Sequence, residues 1–183
     1  MTNPWFLFFD CETTGLDPKT QCIIEVSARV YNSDLVLIQN RHYLAKPSIP
    51  VEHMEPFARE MHWESGLLKQ ALAEGQPVRA VEQSLVDLVM SCMPGEKGSR
   101  YLAGNSIHFD RSFLAVHMPS VLPLLSHRML DVSSVRLFLW QVTGADPLTF
   151  EKQRYHTSEQ DLDETLRELQ LYEDAVANRR ERS

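Results

Sequence analysis

The chain opens on an unbroken apolar run, Phe6-Leu7-Phe8-Phe9, that gives way to Asp10-Cys11-Glu12-Thr13-Thr14-Gly15-Leu16. A short apolar run closed by a glycine turn predicts a buried strand. Gly15-Leu16-Asp17-Pro18 forms the turn, and Cys22 to Tyr31 then alternates as a half-buried strand. Asn32-Ser33-Asp34 turns the chain again, and Leu35–Ile38 and His42–Ala45 read as two further strands. Short connections between such runs predict an antiparallel meander. Lys46-Pro47-Ser48-Ile49-Pro50 ends it, because proline has no donor for a strand ladder.

From Glu52 onward the spacing becomes helical. Met54–Met61 and Glu64–Ala73 are short candidates, the second stopped by Gly75-Gln76-Pro77. Val78–Met93 is the clearest early helix, with Val81, Leu85, Leu88, Val89 and Cys92 at helical spacing. After the Pro94–Gly98 loop come a strand at Arg100–Ala103, a helix at His108–His117, a short strand at Arg128–Leu130 and a helix from Asp131 to Val142. Thr143–Tyr155 is polar and irregular. The last helix runs from Ser158 to Asn178, with a stripe of Leu162, Leu166, Leu169, Tyr172 and Val176. A meander followed by alternating helix and strand predicts an α/β fold, a mixed sheet flanked by helices.

Composition narrows the class. At 183 residues and 43% apolar, the chain suits one domain with a proper core, spanning 1–183, its ordered part about 5–178 and its tail 179–183 frayed. No apolar run reaches the ~20 residues that span a bilayer, and Met1-Thr2-Asn3-Pro4 has no leader-like basic region. Cys11, Cys22 and Cys92 are odd in number and lack CxxC spacing, which suits reduced thiols in a cytoplasmic protein. A formal charge of −7 argues against a protein that coats long nucleic acid, but not against a small nucleic-acid substrate held by metal ions.

Asp10 and Glu12 are spaced i and i+2, so they leave the strand on one face. Two carboxylates at the end of a buried strand repel each other and lose hydration, and a divalent cation relieves both penalties. Three other segments bear on this pair. Asp110 falls in the first turn of a helix, where a carboxylate is favourable with or without a function. His156-Thr157-Ser158-Glu159-Gln160-Asp161 places a histidine before the last helix and an aspartate in its first turn; the same helix-start explanation serves, as does a metal ligand with a nearby imidazole base. Arg128, with Ser133 and Ser134 around Asp131, forms either a helix cap or a phosphate grip.

Taken in order, these motifs resemble those of the DEDDh 3′-to-5′ exonucleases, and within them the oligoribonucleases, from Phe6 to about Tyr172. The first motif is Asp10 to Leu16, the second Gly104 to Leu114, and the third His156 to Asp161; Ile23-Ile24-Glu25, His62 with Ser65-Gly66-Leu67, and Arg128 to Ser133 are supporting matches. The resemblance implies an RNase H-like fold, two Mg²⁺ or Mn²⁺ ions, a homodimer and short single-stranded RNA as substrate. It implies Asp10, Glu12, Asp110 and Asp161 as metal ligands and His156 as general base. Leu16 would wedge against a base, His62 would stand near the substrate, and Ser106, Arg128 and Ser133 would cap a 5′ phosphate. Thr13, His108-Phe109, His127 and Thr157-Ser158-Glu159 depart from the usual oligoribonuclease pattern. They leave the four carboxylates intact and keep open a related enzyme acting on DNA or longer single strands. Trp5, Trp63 and Trp140 read as packing, although Trp63 beside His62 is placed to stack on a base.

Overall fold

The computed structural model describes residues 3–147 and 157–180. Strands β1 (Trp5–Thr13), β2 (Ile23–Tyr31) and β3 (Leu37–Leu44) form the antiparallel meander, and β4 (Arg100–Gly104) and β5 (Met129–Asp131) continue the sheet in parallel. The order across the sheet is β3-β2-β1-β4-β5, so β1 is central. Helices α1 (Pro56–Glu64), α2 (Leu67–Glu74) and α3 (Val78–Cys92) link β3 to β4; α4 (His108–His117) links β4 to β5; α5 (Val132–Thr143) and α6 (Ser158–Arg180) follow.

The period of two in β1 divides the interior. Leu7, Phe9 and Cys11 pack with Val81, Leu85 and Val89 of α3 and Phe113 and Leu114 of α4. Phe8, on the other face, packs with Val132 and Leu139 of α5 and with Leu162, Leu169 and Tyr172 of α6. Following Phe8 by twos along the α6 side leads to Asp10 and then Glu12. The three cysteines are free thiols. Among the described residues, no helix is long and apolar enough to cross a membrane.

Several boundaries differ from the expected ones. Leu35–Ile38 and His42–Ala45 are not two strands: a single strand, Leu37–Leu44, pairs with β2 from Tyr31↔Leu37 to Glu25↔Leu44, and Leu35 sits in the turn at φ 53°. This edge strand is largely exposed, so hydrophobic alternation cannot mark it; its backbone pairing defines it. The helix expected at Met54 starts at Pro56. Proline suits the first helical position, and the preceding Glu55 is held extended at ψ 134°. The helix expected at Glu64 starts at Leu67, because Gly66 takes φ 83° between α1 and α2. Of the irregular stretch, Thr143 ends α5, Gly144 caps it at φ 76°, and 148–156 lie outside the described residues.

Leu85 is fully buried on the α3 side, away from Asp10 and Glu12. Leu85→Ala is expected to lower unfolding free energy by about 2–5 kcal/mol, read from the urea midpoint with the slope unchanged.

Candidate active site

β1 carries the first two acidic groups. Its pairing with β2 shifts register between Glu12 and Thr13, and such irregularities are common where a strand must aim side chains at a site. The third group comes from the first turn of α6. Ligand oxygens of Asp10, Glu12 and Asp161 all lie within 4.8 Å of one another. Asp110, in the first turn of α4, is 4% exposed, and its Oδ1 accepts the Cys11 N–H at 3.0 Å. Asp110 is thus tied to β1 between the two strand carboxyls, although it stands outside the 4.8 Å group. His156 lies outside the described residues.

The four groups act on one another. Burial first, then repulsion from Asp110, Asp161, Glu12 and Glu25, raises Asp10 well above the usual carboxyl range. Burial, with Asp161, Glu25 and Asp110 behind it, pushes Glu12 up to about 8. Asp110 is raised to about 7 by burial, against the lowering effect of its hydrogen bonds from Cys11, with repulsion from Asp161 adding to the rise. A set made only of carboxylate oxygens, crowded enough to suppress its own ionisation, suits a hard divalent cation. Asp10, Glu12 and Asp161 fit such an ion directly, and Asp110 is positioned beside them.

A cleft of about 470 Å³ opens next to Glu12, lined by Leu16, Phe57, Met61, His62 and Phe109 among others. Leu16 is 72% exposed and Phe57 76% exposed. The Leu16 N–H donates to Glu55 Oε1 at 2.8 Å, and the Glu55 N–H donates to Thr14 O at 3.0 Å. Gly15 leaves room for this arrangement, since a Cβ there would fall 2.4 Å from the Glu55 side chain and force it to move. His62 is buried; its Nε2–H donates to Thr13 O at 2.9 Å and lies 3.8 Å from Glu12 Oε2. Phe57, Met61 and Phe109 were not singled out from the sequence. The signal available was the four-residue spacing of Phe57 and Met61, which puts both on the face of α1 next to His62. Trp63 is not in this cleft: it borders a separate groove with Arg59 and Glu60, and the Lys69 ammonium sits 4.8 Å from its ring centroid.

Ser106 and Ser133 do meet, with their hydroxyl oxygens 3.3 Å apart. Asp131 caps α5 between them, and its Oδ1 accepts the amides of Ser133 at 3.0 Å and Ser106 at 3.1 Å. The helix start is therefore already capped by a carboxyl, and the Ser133 hydroxyl oxygen also accepts the Ser106 amide at 3.1 Å. Arg128 is exposed, and among the described residues its guanidinium bonds to neither serine. Asn105 orients the pair: its Oδ1 accepts the Ser133 hydroxyl at 3.0 Å, while its amide donates to Thr165 and to the buried Glu168 of α6, both at 3.0 Å.

A family model described as an exonuclease, RNase T, matches residues 7–169. An oligoribonuclease of Francisella tularensis subsp. tularensis (strain WY96-3418) is 33% identical over 168 residues, covering 91% of this chain and 92% of the relative. An oligoribonuclease of Cutibacterium acnes (strain DSM 16379 / KPA171202) is 34% identical over 176 residues, covering 93% and 85%. Among solved structures, E. coli exonuclease I in complex with a 5cy-dT13 oligonucleotide superposes with a TM-score of 0.69 at 14% identity, over 96% of this chain. This chain spans 44% of that larger chain, and the likeness is one of fold.

The raised carboxyl pKa values set a pH dependence. Between the ordinary value near 4.5 and about 8, the folded metal-free protein holds protons that the unfolded chain has released. Stability contributed by Glu12 and Asp110 is therefore greatest at the acidic end of that window and falls as pH rises through 7 and 8. In EDTA the melting temperature is expected to be lower at pH 8.5 than at pH 6, as about the order of those titrations requires. Saturating Mn²⁺ should raise it more at the higher pH, and Glu12→Gln should flatten the slope. Thermal melts across pH, with and without metal, check this; a metal-free melt that rises from pH 6 to 8.5 contradicts it.

Proposed function

The chain belongs to the exonuclease family of the RNase T type, with its RNase H-like fold, and from that membership we propose a 3′-to-5′ exoribonuclease that trims short oligoribonucleotides, down to dinucleotides, to 5′-mononucleotides. The observation that carries the reading is the convergence of Asp10, Glu12 and Asp161 within 4.8 Å at the edge of an apolar cleft. Asp10, Glu12, Asp110 and Asp161 would hold two divalent cations, Mg²⁺ or Mn²⁺. When bound, such ions supply charge neutralisation at the scissile phosphate and acidify a water.

The residues of the chain do the rest. His156 accepts the proton of the attacking water as its oxygen bonds to phosphorus and the P–O3′ bond breaks, the leaving 3′ oxygen taking a proton from solvent to end as a hydroxyl. Leu16, fixed by Glu55, wedges against a base, and Phe57 and His62 wall the cleft where the terminal nucleoside sits. Ser106, Ser133 and Arg128 receive the 5′ phosphate of a dinucleotide, the serine pair being held in register by Asn105. A formal charge of −7 gives little long-range pull on a long strand, which favours a substrate small enough to be gripped locally. A cytoplasmic homodimer completes the reading. Free thiols suit that compartment, and exposed Leu137, Phe138 and Trp140 on α5 offer an apolar face for a second copy.

Two measurements test this. His156→Ala is expected to keep Mn²⁺ binding, followed calorimetrically, while losing about 10²- to 10⁴-fold in turnover; wild-type turnover by that variant removes His156 as the base. On matched RNA and DNA strands of two, five and ten nucleotides, hydrolysis should be fastest on the RNA dimer. Equal rates at all RNA lengths remove the 5′-phosphate grip, and a preference for DNA moves the enzyme to the alternative, a DNA-directed or longer-strand exonuclease.

A further inference from the structure

β2 is buried along its whole length, yet its two faces differ. Ile24, Val26, Ala28 and Val30 are apolar, whereas Glu25, Ser27 and Arg29, at 4%, 0% and 7% exposure, form a polar stripe on the other side. Polar groups so enclosed need partners, and those of this stripe include the start of α6. Glu25 Oε2 accepts the Ser158 N–H at 2.7 Å. The Ser27 and Ser158 hydroxyl oxygens lie 2.7 Å apart. The Arg29 guanidinium donates to Glu159 O at 3.1 Å and to the Asp163 carboxylate at 2.5 Å. Asp161 lies between these anchor points. Across the β1–β2 pairing, Ser27 stands opposite Asp10 and Glu25 opposite Glu12.

The position of Glu25 is electrostatically unfavourable for the site it borders, since its charge adds to the repulsion on Asp10 and Glu12. An apolar residue would remove that repulsion and leave the Ser158 amide, one of the orphan donors of a helix start, without its carboxyl acceptor. Asp161 adds to the repulsion on Asp10 and Glu12, so its placement beside them draws on contacts made elsewhere along α6. Those contacts include the β2 stripe at the first turns, the Asn105 bonds to Thr165 and Glu168, and the apolar packing of Leu162.

We propose that Glu25, Ser27 and Arg29 are positioning residues that clasp the first turns of α6 to β2 and so fix Asp161 against Asp10 and Glu12. Their catalytic consequence rests on the reading of those three carboxylates as ion ligands; the clasp itself does not. His42, whose Nε2 lies 2.9 Å from Glu25 Oε1, steadies the carboxyl from β3.

The test uses Glu25→Ala, Glu25→Gln and Ser27→Ala in the full chain. Mn²⁺ titration calorimetry, steady-state kinetics on an RNA dinucleotide, and amide exchange over residues 158–162 are compared with wild type. Glu25→Ala is expected to weaken Mn²⁺ binding and lower kcat by about 10- to 100-fold, the usual range for losing a group that orients a ligand, with KM little changed. Amides in the first turn of α6 should exchange faster. Glu25→Gln, which keeps a carbonyl for the Ser158 amide, should restore most of the affinity, the turnover and the protection. Ser27→Ala should move the same readouts less far, and it carries the test if Glu25→Ala does not fold. Wild-type Mn²⁺ affinity together with wild-type exchange in the folded variant overturns the clasp. If wild-type protein neither binds Mn²⁺ nor cleaves RNA, the ion-site reading falls, and amide exchange alone decides the clasp.

Discussion

Like charges crowded into a poorly hydrated place push apart, and four carboxyl groups are held together here against that force. Asp10 and Glu12 are held in place because β1 pairs with β2 along their whole stretch and with β4 up to Phe8. Asp110 is tied to the Cys11 amide, so the start of α4 and the middle of β1 move as one. Asp161 arrives on a helix anchored by Leu162, Leu169 and Tyr172 in the second hydrophobic cluster. Protonation can lower the repulsion, as the raised Glu12 and Asp110 show, and so can cations. Only cations also make the place attractive to a phosphate. Ion loading and substrate binding are in that sense a single electrostatic event.

The parts of this arrangement that were readable beforehand are those that follow from local periodicity. The run Phe6 to Phe9 followed by Asp10 and Glu12 states the buried strand and its acidic face outright, because a strand alternates strictly. The stripe in Val78–Cys92 does the same for α3. What local pattern could not state was set by partners distant in sequence. β3 has no hydrophobic face and exists through its ladder with β2. The role of Asp131 as an acceptor for the Ser106 amide, 25 residues away, is invisible in a reading of helix-start signals alone. Likewise Trp63 and His62 are adjacent in sequence but face different grooves, since neighbours on a helix point about 100° apart.

The substrate side shows the same division of labour between rigid backbone and adjustable side chains. Leu16 and Phe57 are exposed apolar groups that both line the cleft, and exposed apolar groups in a concave setting mark places where a ligand takes over burial. Leu16 is nonetheless not loose, because its amide is held by Glu55, whose own amide is bonded to Thr14 O. A base inserted there meets a preorganised wall, so little ordering opposes binding.

At the other end of the site the balance is different. Asp131 occupies the amides that would otherwise greet a terminal phosphate, and the Ser133 hydroxyl donates to Asn105, so that end offers the Ser106 hydroxyl and an exposed arginine in place of a full anion nest. The apolar cleft beside Glu12 is the better-formed recognition surface of the two. With two dications bound, the formal charge would rise from −7 to about −3, still negative overall, so a longer strand meets net repulsion at a distance. Net negative charge thus works against long strands independently of any steric wall, the opposite of the basic groove along which a nuclease tracks a long backbone.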